Sequence, residues 1–112
     1  MNNCVFCKIL SGEVSVQKLY EDDNFVIIRD ISPIAPMHYL AIPTRHYAKL
    51  ADMQEKDVVA LGQIFETIAA QSRNLGLENG YRLVMNQGSD AGQTVFHLHI
   101  HILGGKEMTF TC

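Results

Sequence analysis

Thr94-Val95-Phe96-His97-Leu98-His99-Ile100-His101-Ile102-Leu103-Gly104-Gly105 alternates imidazoles with large apolar side chains. Successive side chains on a strand take opposite faces. The pattern therefore predicts His97, His99 and His101 on one face and Phe96, Leu98, Ile100 and Ile102 on the other. Such a strand is half core and half site. A row of imidazoles can supply a nucleophile, a proton donor and a metal ligand near neutral pH. Strand rise puts His97 and His101 roughly 13 Å apart, too far for all three to hold one metal without a bulge. The central His99 has a neighbour on each side, the geometry of a nucleophile.

The stretch just upstream, Asn86-Gln87-Gly88-Ser89-Asp90-Ala91-Gly92-Gln93-Thr94, offers backbone N–H groups, amides and hydroxyls to phosphate oxygens. It holds no Lys or Arg and no Walker pattern, which suits a single α-phosphate better than a triphosphate tail. Imidazole attacks phosphorus readily, and the resulting P–N bond is labile.

Further out, Asn79-Gly80 predicts a turn into a strand over 81–86. One long helix is expected over 53–75, with Asp52 as N-cap, Glu55 at N3, Val58, Leu61, Phe65 and Ile68 at helical spacing, and Gly76 at C′. Gly62 inside that helix costs about 1 kcal/mol relative to Ala. It predicts a close approach, either by a second chain or by a strand of the same chain. Extended runs at 17–21, 25–29 and 37–42 read as antiparallel strands joined by tight turns, and residues 4–10 as a short helix ended by Ser11-Gly12. The expected fold is α+β: an antiparallel sheet with one long helix and a short N-terminal helix, in a single domain over residues 1–112.

The 112 residues are 47% hydrophobic and 19% charged, enough for one core, and the net charge of −3 has no basic block behind it. Nucleic acid and acidic membranes are therefore not expected as partners. No leader pattern or membrane-length apolar run is present, so a cytoplasmic protein is expected. Three cysteines make no disulfide framework. In a reducing compartment Cys4-x-x-Cys7 reads as a metal pair or two buried thiols.

His97-Leu98-His99-Ile100-His101-Ile102-Leu103-Gly104-Gly105 resembles the His-x-His-x-His motif of the histidine triad family. Its Leu-Gly-Gly ending resembles the Hint branch of nucleoside phosphoramidases. Tyr20-Glu21-Asp22-Asp23, Arg29-Asp30-Ile31-Ser32-Pro33-Ile34-Ala35-Pro36-Met37-His38 and Gly80 to Asn86 agree with it, so the likeness spans nearly the whole chain. The resemblance implies a hydrolase of purine nucleoside 5′-phosphoramidates or related nucleotides, working through a nucleotidyl-histidine. It makes His99 the nucleophile, His101 the hydrogen-bond donor at the phosphate and bridging atom, and His38 the group that orients the nucleophile. Thr94 stands where Hint-type enzymes often place Ser as a leaving-group contact. Read alone, His38 is a core histidine and Asp30 a turn residue. The resemblance makes Asp30 the ribose carboxylate, Phe6, Ile9, Ile28 and Ile31 the base pocket, and Asn86, Gly92, Gln93 and Val95 part of the nucleotide site. It also implies a homodimer and no organic cofactor. Arg29 could reach a second phosphate, which would favour dinucleoside polyphosphates. A non-catalytic nucleotide-binding regulator is a third reading, against which the intact His99 and His101 weigh.

Cys4 and Cys7 have ligand-pair spacing, His46 follows Pro43 at a strand end, and His97 is the triad histidine that catalysis needs least. Two thiolates and two imidazoles make a closed Cys2His2 set, which predicts a structural zinc.

Overall fold

The computed structural model describes residues 3–109. Helix α1 covers Val5–Ser11, and strands β1 (Tyr20–Glu21), β2 (Phe25–Arg29) and β3 (Met37–Pro43) follow; helix α2 covers Glu55–Gln71, and β4 (Tyr81–Val84) and β5 (Ile100–Gly104) complete the fold. The strands form one antiparallel sheet in the order β1-β2-β3-β5-β4. The α+β architecture expected from the sequence is the one observed.

Alternation along the strands sends each set of apolar residues to its own helix. Phe25, Ile27, Tyr39, Ala41, Ile100 and Ile102 meet Leu61, Ile64 and Ile68 of α2 in the main core. Val26, Ile28, Leu40 and Ile42 meet Phe6 and Ile9 of α1 on the opposite face. Since α1 is short, it covers only part of that face. The rest is left to His38, His101 and the neighbouring residues of β4.

Several boundaries differ from the sequence reading. The start of α2 is set by Gln54, whose backbone N–H donates to Asp57 Oδ2 at 3.0 Å in a capping box, and Asp52 instead ends a short 3-10 turn over Leu50–Asp52. Asp52/Glu55 and Gln54/Asp57 have the same spacing. Asp57 is buried and also pairs with Arg45 at 3.2 Å, so tertiary contacts decide between them. The helix proper ends at Gln71, but Gly76 takes the left-handed conformation foreseen for it, at φ +75°, and Leu77 N–H closes onto the Ser72 carbonyl at 2.9 Å. A Cβ on Gly62 would meet nothing within 4 Å, which removes packing by a strand of the same chain as its reason.

The larger correction concerns the histidine stretch. Only Ile100–Gly104 is strand. Residues 94–99 form a loop in which Leu98 N–H donates to the Tyr47 carbonyl at 2.8 Å. Leu98, Ile100 and Ile102 still reach the main core, whereas Phe96 is 52% exposed. The second difference is Arg29, which pairs with Tyr39 and lies 5.7 Å from its ring centroid, on the α2 face. It points away from the histidines, which removes it as a contact to a second phosphate. Among the described residues no helix is long and apolar enough to cross a membrane.

Candidate functional site

The three triad histidines are held in different ways, and each hydrogen bond fixes a tautomer. His99 Nδ1 lies 2.8 Å from its neighbour His97's carbonyl oxygen, which can only accept. The ring proton is therefore on Nδ1, and the Nε2 lone pair is left available as a nucleophile. On the next strand His38 Nδ1 accepts from the Ile34 backbone N–H at 3.1 Å, so its proton is on Nε2. That proton faces His101 Nδ1 at 3.0 Å and Asp30 Oδ2 at 3.3 Å. His101, accepting at Nδ1, carries its proton on Nε2 as a donor.

Sheet register makes this relay. His38 pairs with Leu103 and Leu40 with His101, so the two imidazoles are diagonal neighbours on one face. Burial lowers the His38 pKa, only partly offset by Asp30; burial, then His99 and His38, lowers that of His101. Both shifts favour the neutral rings that the relay requires. Asp30, His38 and His101 also lie close enough together to suggest a metal site. The tautomer argues against it, because His38 Nε2 carries a proton as long as Nδ1 accepts from Ile34.

Asp30 is the turn residue it reads as alone. Its Oδ1 accepts from the Ser32 N–H at 2.7 Å in a turn, while Oδ2 faces the imidazoles. A cavity of about 710 Å³ opens there, lined among others by Asp30, His38, Asn86, His101 and, from β4, Arg82 and Val84. On the other side of His99 stands α1, with the Phe6 ring edge-on to His99 at 5.0 Å. Phe6, Ile9 and Ile28 are packed together there with Val95 against them, but Ile31 is 97% exposed, outside that cluster.

Gln93 does not point a free amide at the site. Its Nε2 donates to the Ala48 and Val95 carbonyls at 2.7 and 3.2 Å, and its Oε1 accepts from Gly88 N–H at 2.8 Å. It braces the loop, and Gly92 at φ +86° closes the 3-10 turn within it. Thr94 is exposed on the same segment.

His97 belongs to a second cluster. Its Nε2 lies 2.8 Å from the Pro43 carbonyl and must donate to it, leaving the Nδ1 lone pair facing Cys4 Sγ at 3.5 Å, Cys7 Sγ at 3.7 Å and His46 Nδ1 at 3.2 Å. Cys7 Sγ is also 3.2 Å from His46 Nδ1, and the four donor atoms lie within 4.8 Å of one another. A tetrahedron built on zinc–nitrogen bonds near 2.0 Å and zinc–sulfur bonds near 2.3 Å has edges of about 3.3 to 3.8 Å. The donor set fits such an ion, and the four separations given above, from 3.2 to 3.7 Å, are close to those edges. The Pro43 carbonyl is the outer partner a metal-bound imidazole ordinarily has.

The HIT domain family model matches residues 11–108. The chain belongs to the HIT family. It is 48% identical over 101 residues to an uncharacterised HIT-like protein of Chlamydia trachomatis, covering 90% of this chain and 91% of that protein. With protein HitA of Neisseria gonorrhoeae it shares 41% over 104 residues, covering 93% and 97% of the two chains. Among solved structures it superposes on a HIT family hydrolase from Clostridium thermocellum with a TM-score of 0.92 at 44% identity, covering 99% and 97%. A Zn-bound histidine triad family protein from Mycobacterium smegmatis gives 0.81 at 36%, covering 97% and 81%. The HIT fold and its hydrolase neighbours support a general nucleotide hydrolase or nucleotide-binding function.

The sequence picked out the five histidines and the cysteine pair. It gave no sign that backbone groups (the His97 and Pro43 carbonyls, the Ile34 N–H) would set the tautomers of His99, His97 and His38. The one local signal was Pro43, three residues before His46 at a strand end.

Proposed function

We propose that this HIT protein hydrolyses purine nucleoside 5′-phosphoramidates, or closely related mononucleotide derivatives, by a Hint-type double displacement. The observation that carries the reading is the tautomer of His99, whose Nδ1–H is held by a carbonyl and whose Nε2 lone pair is free. His99 Nε2 attacks the α-phosphorus and the bond from phosphorus to the amine breaks. The amine leaves with a proton taken from solvent, its departure eased by a hydrogen bond from His101 Nε2–H to the bridging nitrogen. The positive charge on the nucleotidyl-imidazole is stabilised by the His97 carbonyl. Water then attacks phosphorus and gives up a proton to solvent, and the phosphorus–His99 bond breaks to release a nucleoside monophosphate and the neutral imidazole.

Asp30 would bind the ribose, with Phe6, Ile9, Ile28 and Ile31 at the base. Ile31, almost wholly exposed beside Asp30, is an apolar side chain that a base would cover. Asn86, in the cavity with His101, and backbone N–H groups of the Gly92–Val95 segment would meet the phosphate. Gln93 would shape that segment and Thr94 would contact the leaving group. Zinc at Cys4, Cys7, His46 and His97 would fasten α1 to the segment after β3 and take no part in the chemistry. Release of AMP from an adenosine 5′-phosphoramidate, set against diadenosine polyphosphates, tests the reading. Preference for the polyphosphates would overturn it.

The Asp30 assignment has its own test. Asp30→Ala is expected to raise KM about 10-fold with kcat changed less, since a ribose contact contributes uniform binding. A fall in kcat at constant KM would instead mean that Asp30 acts through His38.

We also propose a homodimer, in the cytoplasm, where the thiol pair stays reduced. Exposed Val58 and Val59 precede the open Gly62 on α2, and β4 is an edge strand. Light scattering should give twice the 12.6 kDa chain mass, and a monomer mass would contradict the proposal.

A further inference from the structure

Helix α1 has seven residues, too few to hold a helix in water without outside contacts. Its two sides serve different sites. Cys4, the N-cap, and Cys7 supply two of the four donors of the Cys/His cluster, and Cys4 Sγ also accepts from the Cys7 N–H at 3.3 Å. Between them in sequence, Phe6 turns the other way, into the apolar cluster beside the triad. Its ring meets His97 edge-on at 5.8 Å and His99 at 5.0 Å. A second link runs through one residue: the His97 ring is a donor of the cluster, while its carbonyl holds His99 Nδ1 at 2.8 Å.

Any ion drawn to this donor set fixes Cys4, Cys7 and the His97 ring relative to one another, and with them Phe6 and the carbonyl behind His99. A nucleotide lying against α1 and His99 needs the same groups in the same place. We propose that the Cys4/Cys7/His46/His97 cluster and the nucleotide site form one linked system, in which a tetrahedral metal ion and a nucleotide each tighten the binding of the other, with Phe6 as the positioning residue between them. This rests on the nucleotide reading of the site. Coupling between two sites is reciprocal, so one factor appears in both directions, and about 5-fold is the least that would count.

The experiment uses the full chain, zinc and AMP. AMP affinity is measured by calorimetry with and without zinc, and zinc affinity by competition with a chromogenic chelator with and without saturating AMP. The expected result is an AMP Kd at least about 5-fold lower in the zinc-loaded chain, and a matching gain in zinc affinity when AMP is bound. Phe6→Leu keeps all four donors and is expected to bring the AMP-dependent gain in zinc affinity close to 1. This variant decides the matter even if the zinc-free chain unfolds, because stabilisation through global folding alone would persist in it. Equal zinc affinity with and without bound AMP in the parent chain, or an undiminished ratio in Phe6→Leu, overturns the proposal. Failure of the zinc-loaded chain to bind AMP at all overturns the nucleotide reading instead.

Discussion

His99→Ala is expected to reduce hydrolysis of an adenosine phosphoramidate by about 10⁴-fold or more, the scale on which enzymes lose activity when a nucleophile is removed. The His38–His101 relay remains in this variant, as do Asp30 and the cavity, so AMP should still bind. Folding should also survive, because the His99 side chain is only partly buried and its recorded hydrogen bond is to a carbonyl of its own loop. Steady-state kinetics together with AMP calorimetry check both halves. Turnover within a few-fold of the parent would remove His99 as nucleophile. Loss of AMP binding along with turnover would mean that its role is structural.

The second large effect concerns the metal. Protein purified without chelator or polyhistidine tag is expected to hold about one zinc per chain. Cys4→Ser or Cys7→Ser should abolish most of that content and lower Tm by about 10 °C, because metal binding free energy is also folding free energy. In the metal-free chain, burial and the neighbouring Cys4 push the Cys7 thiol up. A bound cation reverses that preference by favouring the thiolate. The chemical step should change less than stability, since no donor of the cluster reaches the cavity beside His101. Elemental analysis and calorimetric melting make the comparison. Zinc absent from the parent protein would end the metal assignment, and full zinc in both serine variants would move it elsewhere.

The sequence made the periodic elements legible and left the loops obscure. Of the residues read at helical spacing on α2, Leu61 and Ile68 are buried and Phe65 packs partly against the core, whereas Val58 is exposed and Ile64 takes its place; the alternation in β2 and β3 sends alternate residues to two cores. The histidine stretch alternates just as well, yet its first half leaves the sheet. The Leu98 N–H goes to Tyr47, a partner 51 residues away whose position no local pattern encodes. That departure is what separates the triad: His97 joins the cysteines, His101 joins His38 and Asp30, and His99 stands between. The distance argument against one metal for all three thus holds, while the single row of imidazoles does not. Arg29 and Gln93 show the same limit. Residue type made both plausible phosphate contacts, but strand parity turned Arg29 toward Tyr39 and three backbone groups occupy the Gln93 amide. The start of α2 was read at Asp52 and Glu55, whereas the equally spaced Gln54 and Asp57 cap it, with Arg45 paired to Asp57.

The central claim is that phosphorus is transferred twice, first to His99 and then to water. Its most direct test is the stereochemical course at phosphorus, using a phosphorothioate analogue of the adenosine phosphoramidate, chiral at phosphorus and hydrolysed in oxygen-18 water. Two in-line displacements give net retention of configuration, the expected result; net inversion would show that water attacks the substrate directly and would contradict a nucleotidyl-His99 intermediate.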